Sequence, residues 1–220
     1  MENKEIERYE RKFLIDNKKK FIIKKKLNLF EIFRSRKISN IYLDNPKRKN
    51  FIDNVDGENN RMKFRIRYYD NNFSSLNFEI KKKINNVVKK KQILFSGDKK
   101  DIQSTDGIKK LIKYLVLNYK LPSFLLNYQP SSINEYKREY FLHKLNKNIR
   151  ITFDTKVGSK LILGRNVYFN NLKYLNKFMI IECKYNTKLD EEVRKLKIHN
   201  LAKFSKFSKY SLPYDFRNYL

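Results

Sequence analysis

Side chains two positions apart in an extended segment share a face, and in several segments of this chain that shared face is basic. Lys63, Arg65 and Arg67 fall together while Met62, Phe64, Ile66 and Tyr68 take the other side, and Glu79, Lys81 and Lys83 oppose Phe78 and Ile80. The same parity groups Arg8 with Glu10 and Lys12, Lys89 with Lys91, Tyr136 with Arg138 and Tyr140, Arg150 with Thr152 and Asp154, and Glu182 with Lys184. One such strand is only a sheet with a wet face. Recurrence over seven segments, with bases predominating, implies a bound anion, because like charges on adjacent strands repel. Arginine suits phosphoryl oxygens through its planar, bidentate fork, and lysine adds mobile point charge.

Glu182 lies in the otherwise apolar run Met179 to Tyr185. It has two readings: a ligand for a hard divalent cation that bridges phosphate oxygens, or an ion pair with a neighbouring arginine. Glu10 and Glu79 face the same choice. The single Cys183 and two His leave no thiolate or imidazole cluster for zinc, so any metal must sit on oxygen.

Composition agrees with an anionic partner without choosing it. Lys plus Arg number 51 against 23 Asp plus Glu, a net charge of +28. Nucleic acid, anionic lipid and polyphosphate all answer to such a surface. The 17 Phe and 15 Tyr fall mostly at core positions of strands and helices rather than on a stacking platform. No specific nucleic-acid partner is therefore expected. No stretch approaches the roughly 20 apolar residues that span a bilayer, so the expectation is a cytoplasmic protein without membrane insertion, and 220 residues suit a single domain over 1–220.

The elements that must carry these faces are strands at Ile6 to Ile15, Ser39 to Asp44, Arg61 to Asp70, Leu76 to Lys83, Val87 to Phe95, Glu135 to Leu142, Ile149 to Thr155, Lys160 to Leu163 and Phe178 to Tyr185. Helical spacing places Phe21, Ile22, Leu29, Phe30 and Phe33 on a helix running from Asp16 to Phe33. It also places Ile108, Leu111, Ile112, Leu115 and Val116 on another over Thr105 to Tyr119. Asp190 to Asn200 and Lys203 to Tyr210 form a final helical pair. Antiparallel strands with a few helices make an α+β fold, and many-stranded sheets commonly close to remove their edges.

In order along the chain, RYERKFLI at Arg8 to Ile15, SNIYLDN at Ser39 to Asn45, KFRIRYY at Lys63 to Tyr69, FEIKKKI at Phe78 to Ile84, YKREYF at Tyr136 to Phe141, IRITFDT at Ile149 to Thr155, IIECKY at Ile180 to Tyr185 and KFSKF at Lys203 to Phe207 resemble the VTC polyphosphate polymerase domain. That family belongs to the triphosphate tunnel metalloenzymes, relatives of the CYTH phosphatases and cyclases. The resemblance implies a closed antiparallel eight-stranded β-barrel with helices packed outside and a basic interior.

By position it also implies that Lys12, Arg65, Arg67, Lys81, Arg138 and Arg150 grip a triphosphate and a growing chain. Arg8, Lys89, Lys91, Tyr136, Lys203, Ser205 and Lys206 would bind substrate, with the register of Lys89 to Lys91 open, and Glu182 would bind Mn²⁺ or Mg²⁺. The implied activity is an ATP-polyphosphate phosphotransferase acting on ATP and polyphosphate or pyrophosphate. The alternatives are a tripolyphosphatase or nucleoside triphosphatase of the same fold, a more distantly related nucleotidyl cyclase, and a non-catalytic polyphosphate-binding module. Many CYTH hydrolases open with Glu-x-Glu-x-Lys, whereas Arg8 precedes Glu10 and Lys12 here. The lost acid favours the more electropositive, polymerase-like site. Coupling to membrane translocation is not expected, since the membrane helices and phosphate-sensing domain of eukaryotic members are lacking.

Overall fold

The computed structural model describes residues 8–85, 87–205 and 207–214, without the side chains of Arg8, Val87, His199 and Lys203. Its strands are β1 (Arg8–Asp16), β2 (Leu29–Asp44), β3 (Asn60–Tyr69), β4 (Leu76–Ile84), β5 (Val87–Phe95), β6 (Gln129–His143), β7 (Arg150–Leu161), β8 (Lys173–Tyr174), β9 (Phe178–Asn186) and β10 (Lys203–Phe204). The helices are α1 (Lys20–Lys26), α2 (Lys49–Val55), α3 (Lys99–Ile102), α4 (Thr105–Asn118) and α5 (Asp190–Lys195). None among the described residues is long and apolar enough to cross a membrane.

The strands follow one path, β10-β1-β9-β7-β6-β2-β3-β4-β5, with β8 beside β7. The expected closed eight-stranded barrel is not formed: nine strands lie on an open path, and among the described residues no pairing joins its two ends. Local chemistry explains both ends. The outer edge of β1 is partly occupied by β10, through Phe13 opposite Phe204 and Leu14 opposite Lys203. At the other end β5 carries the exposed run Lys89, Lys90 and Lys91, and an edge rich in lysine resists further strand pairing.

The residues gather into two compact units: 1–37 with 136–157 and 174–208, and 38–135 with 158–173 and 209–220. Strands β2, β6 and β7 run through both. In the first unit Phe13, Ile15, Ile23, Leu27, Phe141, Phe153, Ile181 and Cys183 share a core. In the second, the apolar faces of β3, β4 and β5 meet α4, whose Ile108, Ile112, Leu115 and Val116 are buried as their helical spacing requires. Ser104 caps that helix by accepting the Gly107 N–H at 3.0 Å. Fully burying a side chain of this size contributes roughly 1.5–3 kcal/mol.

Four expected elements differ. The helix expected to reach Phe33 stops at Lys26; Asn28, at φ 47°, turns the chain left-handed, and Leu29 begins a 16-residue strand. The strands expected over Ile149 to Thr155 and Lys160 to Leu163 are largely one strand, β7, which ends at Leu161 and passes through a left-handed Lys156 (φ 49°). The helix expected over Asp190 to Asn200 ends at Lys195, ahead of a left-handed Lys197 (φ 48°). The described residues of the helix expected over Lys203 to Tyr210 are not helical, because Phe204 pairs with β1 and the Ser205 N–H extends that ladder to the Lys12 carbonyl at 2.9 Å. Ile6 and Glu7 of the expected first strand lie outside the described residues.

Candidate phosphate-binding site

Polar side chains collect on one face of the sheet in each unit. In the second, antiparallel register sets Arg65 of β3 between Tyr42 of β2 and Glu79 of β4, and Arg67 between Asn40 and Asn77. Arg65 donates through Nε and Nη2 to Glu79 Oε2 at 2.7 and 2.5 Å, and through Nη1 to the Tyr42 hydroxyl at 3.2 Å. Arg67 Nη1 lies 3.5 Å from Glu79 Oε1, and its Nε donates to Asn40 Oδ1 at 2.7 Å. Asn40 in turn donates to Asn134 at 2.8 Å, and Asn134 to the Lys209 carbonyl at 3.1 Å. Tyr210 donates its O–H to buried Asp44, and Lys63 Nζ sits 5.8 Å from the Tyr210 ring centre.

Register also decides the lysines of β5. Glu79 faces Gln92 and Lys81 faces Lys90, whereas Lys89 faces Lys82 and Lys91 faces Ile80. Lys90 thus joins the arginines, reaching Glu79 Oε1 at 2.9 Å, while Lys89 and Lys91 take the opposite side. The sequence holds the clue: Ile93 and Phe95 are core residues, and odd parity puts Lys89 and Lys91 on their side.

Glu79, almost fully buried, is thus held by Arg65, Arg67 and Lys90. Burial works to raise its pKa, but the three cations together outweigh it and keep the carboxyl well below the usual carboxylate range. Burial lowers the Lys90 pKa and the two arginines add to this, against the pull of Glu79. At Tyr42 burial opposes ionisation, but Arg65 and Arg67 bring the phenol below its ordinary value. A depressed folded-state pKa means that ionised Glu79 stabilises the protein fully above about pH 4.3, the ordinary glutamate value. That contribution is lost as pH falls toward the folded-state value. Urea midpoints should therefore fall more steeply below about pH 4.3 in the parent than in Glu79→Gln; equal slopes would show that Glu79 is not held in this way.

In the first unit, β1, β9 and β7 align Lys12 with Glu182 and Thr152, and Glu10 with Lys184 and Arg150. From β6, buried Arg138 makes a bidentate pair with Asp154, both bonds at 2.6 Å, and reaches Glu182 at 3.0 Å. Burial works against the Arg138 charge, yet Asp154 and Glu182 raise its pKa well above the ordinary value. The Tyr136 ring centre lies 5.3 Å from the Arg138 guanidinium carbon. Lys184 Nζ stands 3.3 Å from Glu182, and Lys12 Nζ reaches the Phe207 carbonyl at 3.2 Å. Arg150 is exposed at the strand end and Ser205 is half-buried. Lys206 lies outside the described residues, as do the side chains of Arg8 and Lys203.

Among the described side chains neither histidine nor cysteine enters either cluster. His143 Nδ1 accepts the Asn146 N–H at 3.2 Å, a turn cap, and burial pushes the Cys183 thiol up to about 12. Asp154, Lys90 and Lys184, not singled out as site residues from sequence, are tied to their clusters by direct ion pairs.

A VTC domain profile matches residues 7–215. The chain belongs to the VTC domain family. A candidate adenylate cyclase from Bacillus halodurans resembles this VTC domain with a TM-score of 0.56 at 13% identity, covering 96% of this chain and 100% of the other. A Pyrococcus horikoshii protein gives 0.53 at 17% identity, covering 95% and 100%. A candidate adenylyl cyclase from Hippeastrum, described as having a dominant triphosphatase activity, gives 0.50 at 12%, covering 94% and 96%. At such identities the likeness is one of fold. No curated protein sequence matches the chain.

The sequence resemblance carries the expectation of a divalent metal at Glu182. Among the described residues no three His, Cys, Asp or Glu side chains group to hold such an ion. Glu182 is engaged by Arg138 and Lys184. Thr152 Oγ1, on the residue opposite it, is buried without a hydrogen-bond partner among the described residues. This is no ready-made cage. A hard cation would take most of its ligands from phosphate and water, as magnesium commonly does.

Proposed function

We propose that this VTC domain transfers the γ-phosphoryl group of ATP onto a polyphosphate chain. The observation that carries the reading is the cluster in which one carboxylate, Glu79, holds Arg65, Arg67 and Lys90 on a common face. Its excess positive charge and preset guanidinium planes suit a phosphate oligomer. Phosphoryl transfer asks chiefly for such positioning and charge stabilisation.

Arg65 and Arg67 orient the triphosphate, with Lys63, Lys81 and Lys90 adding charge along it. Lys12, Arg150, Tyr136, Ser205, Lys203 and Lys206 contribute to substrate binding, as does Arg8. Arg138 acts mainly by fixing Glu182, which we assign to Mn²⁺ or Mg²⁺. When bound, that ion would neutralise charge on the phosphate oxygens. The acceptor is already ionised at neutral pH and needs no dedicated base, in keeping with a buried His143 that serves a turn.

The triphosphatase described for the Hippeastrum neighbour favours a second reading, with water as acceptor. Incubation with ATP and Mn²⁺ separates the two. Long chains resolved on a gel are expected; free phosphate with no chains would replace the polymerase by a hydrolase. A cytoplasmic setting is part of this proposal.

A further inference from the structure

We propose that the outward face of α1 docks on an anionic lipid membrane. Helical spacing divides α1 and its flanks sharply. Lys20, Ile23, Lys24 and Leu27 form the inward stripe: Ile23 and Leu27 are buried, Lys20 pairs with Glu139, and Lys24 lies 5.0 Å from the Phe141 ring centre and 3.8 Å from Glu31. The outward side carries Phe21, 77% exposed, and Ile22, 52% exposed. Exposed Lys18, Lys19, Lys25 and Lys26 surround them, and no acid occurs between Asn17 and Leu27.

Two adjacent large apolar side chains facing water have no role in the core, which the inward stripe already supplies. Their setting chooses the partner. Lysine ammoniums meet lipid phosphates and carboxylates at the headgroup level, while an aromatic and a β-branched side chain enter the acyl boundary below. A nucleic acid would be served by the lysines alone. The contact is peripheral, since α1 has only seven residues, and it does not rest on the phosphoryl-transfer reading.

The chain contains no tryptophan, so Phe21→Trp installs a single indole at the proposed contact. Vesicles of phosphatidylcholine with about a third phosphatidylserine, at about 0.15 M salt, should shift its emission to the blue, and phosphatidylcholine alone should not. Co-sedimentation with the mixed vesicles should fall about tenfold or more in F21S/I22S, whose charge is unchanged and whose altered side chains lie outside the core. An indole that keeps its aqueous emission would overturn the proposal. So would equal sedimentation of parent and double variant, which would reduce the binding to net charge, or an equal dependence of RNA binding on Phe21 and Ile22.

Discussion

Asp154→Ala should destabilise the protein by about 3–5 kcal/mol, the cost of removing one partner from a buried ion pair. Asp154 is fully buried and carries both oxygens of a bidentate bond to Arg138, itself 8% exposed. Without it the guanidinium keeps Glu182 alone of these two acids and leaves buried donors unpaired. Asp154→Asn retains an acceptor and should fall between. Arg138→Met combined with Asp154→Leu should recover much of the loss, because two apolar groups demand no partners. Urea denaturation gives the answer. A change of under about 1 kcal/mol in Asp154→Ala would mean that the pair is solvated and that Arg138 is available to substrate rather than committed to Glu182.

Arg65→Met should lower kcat/KM for the proposed ATP-dependent transfer by roughly 10²–10³, the usual effect of removing one preorganised donor. Arg65 is the more exposed of the two arginines, and Glu79 fixes one edge of its guanidinium at 2.7 and 2.5 Å. Arg65→Lys keeps the charge but loses the fork. It should recover only part of the rate, and should do so mainly through KM, since a point charge attracts phosphate without orienting it. If both variants turned over ATP within about twofold of the parent, the cluster on β3 would be structural, and the reacting phosphates would have to be sought on the first unit.

Much of this was legible along the chain, and the failures are informative. Alternation in β3 and β4 put Arg65, Arg67 and Glu79 on one face, and the structure keeps them there because a half-buried strand cannot slip register without exposing Phe64 and Ile66. On β5 the same rule pairs Lys89 with Lys91, but the parity of core Ile93 and Phe95 sets both opposite the arginines and brings Lys90 to them instead. Helical spacing groups Phe21 and Ile22 with Leu29, Phe30 and Phe33, yet the side that is buried here carries Ile23 and Leu27. Periodicity finds a stripe but does not say which stripe a neighbouring sheet will cover.

Residue identity and order by themselves determined the cationic faces, the α4 stripe and membership of the VTC family, since each depends on local spacing that backbone geometry converts directly into a face. Only the tertiary structure decided that the sheet remains open, that Arg138 is committed to Asp154 and Glu182, and that Glu79 gathers three cations. Those outcomes turn on which distant strands pair and in what register. That choice is made by burial and charge summed over partners far apart in the chain, as Asp44 and Tyr210 are at 166 positions and Arg138 and Glu182 at 44.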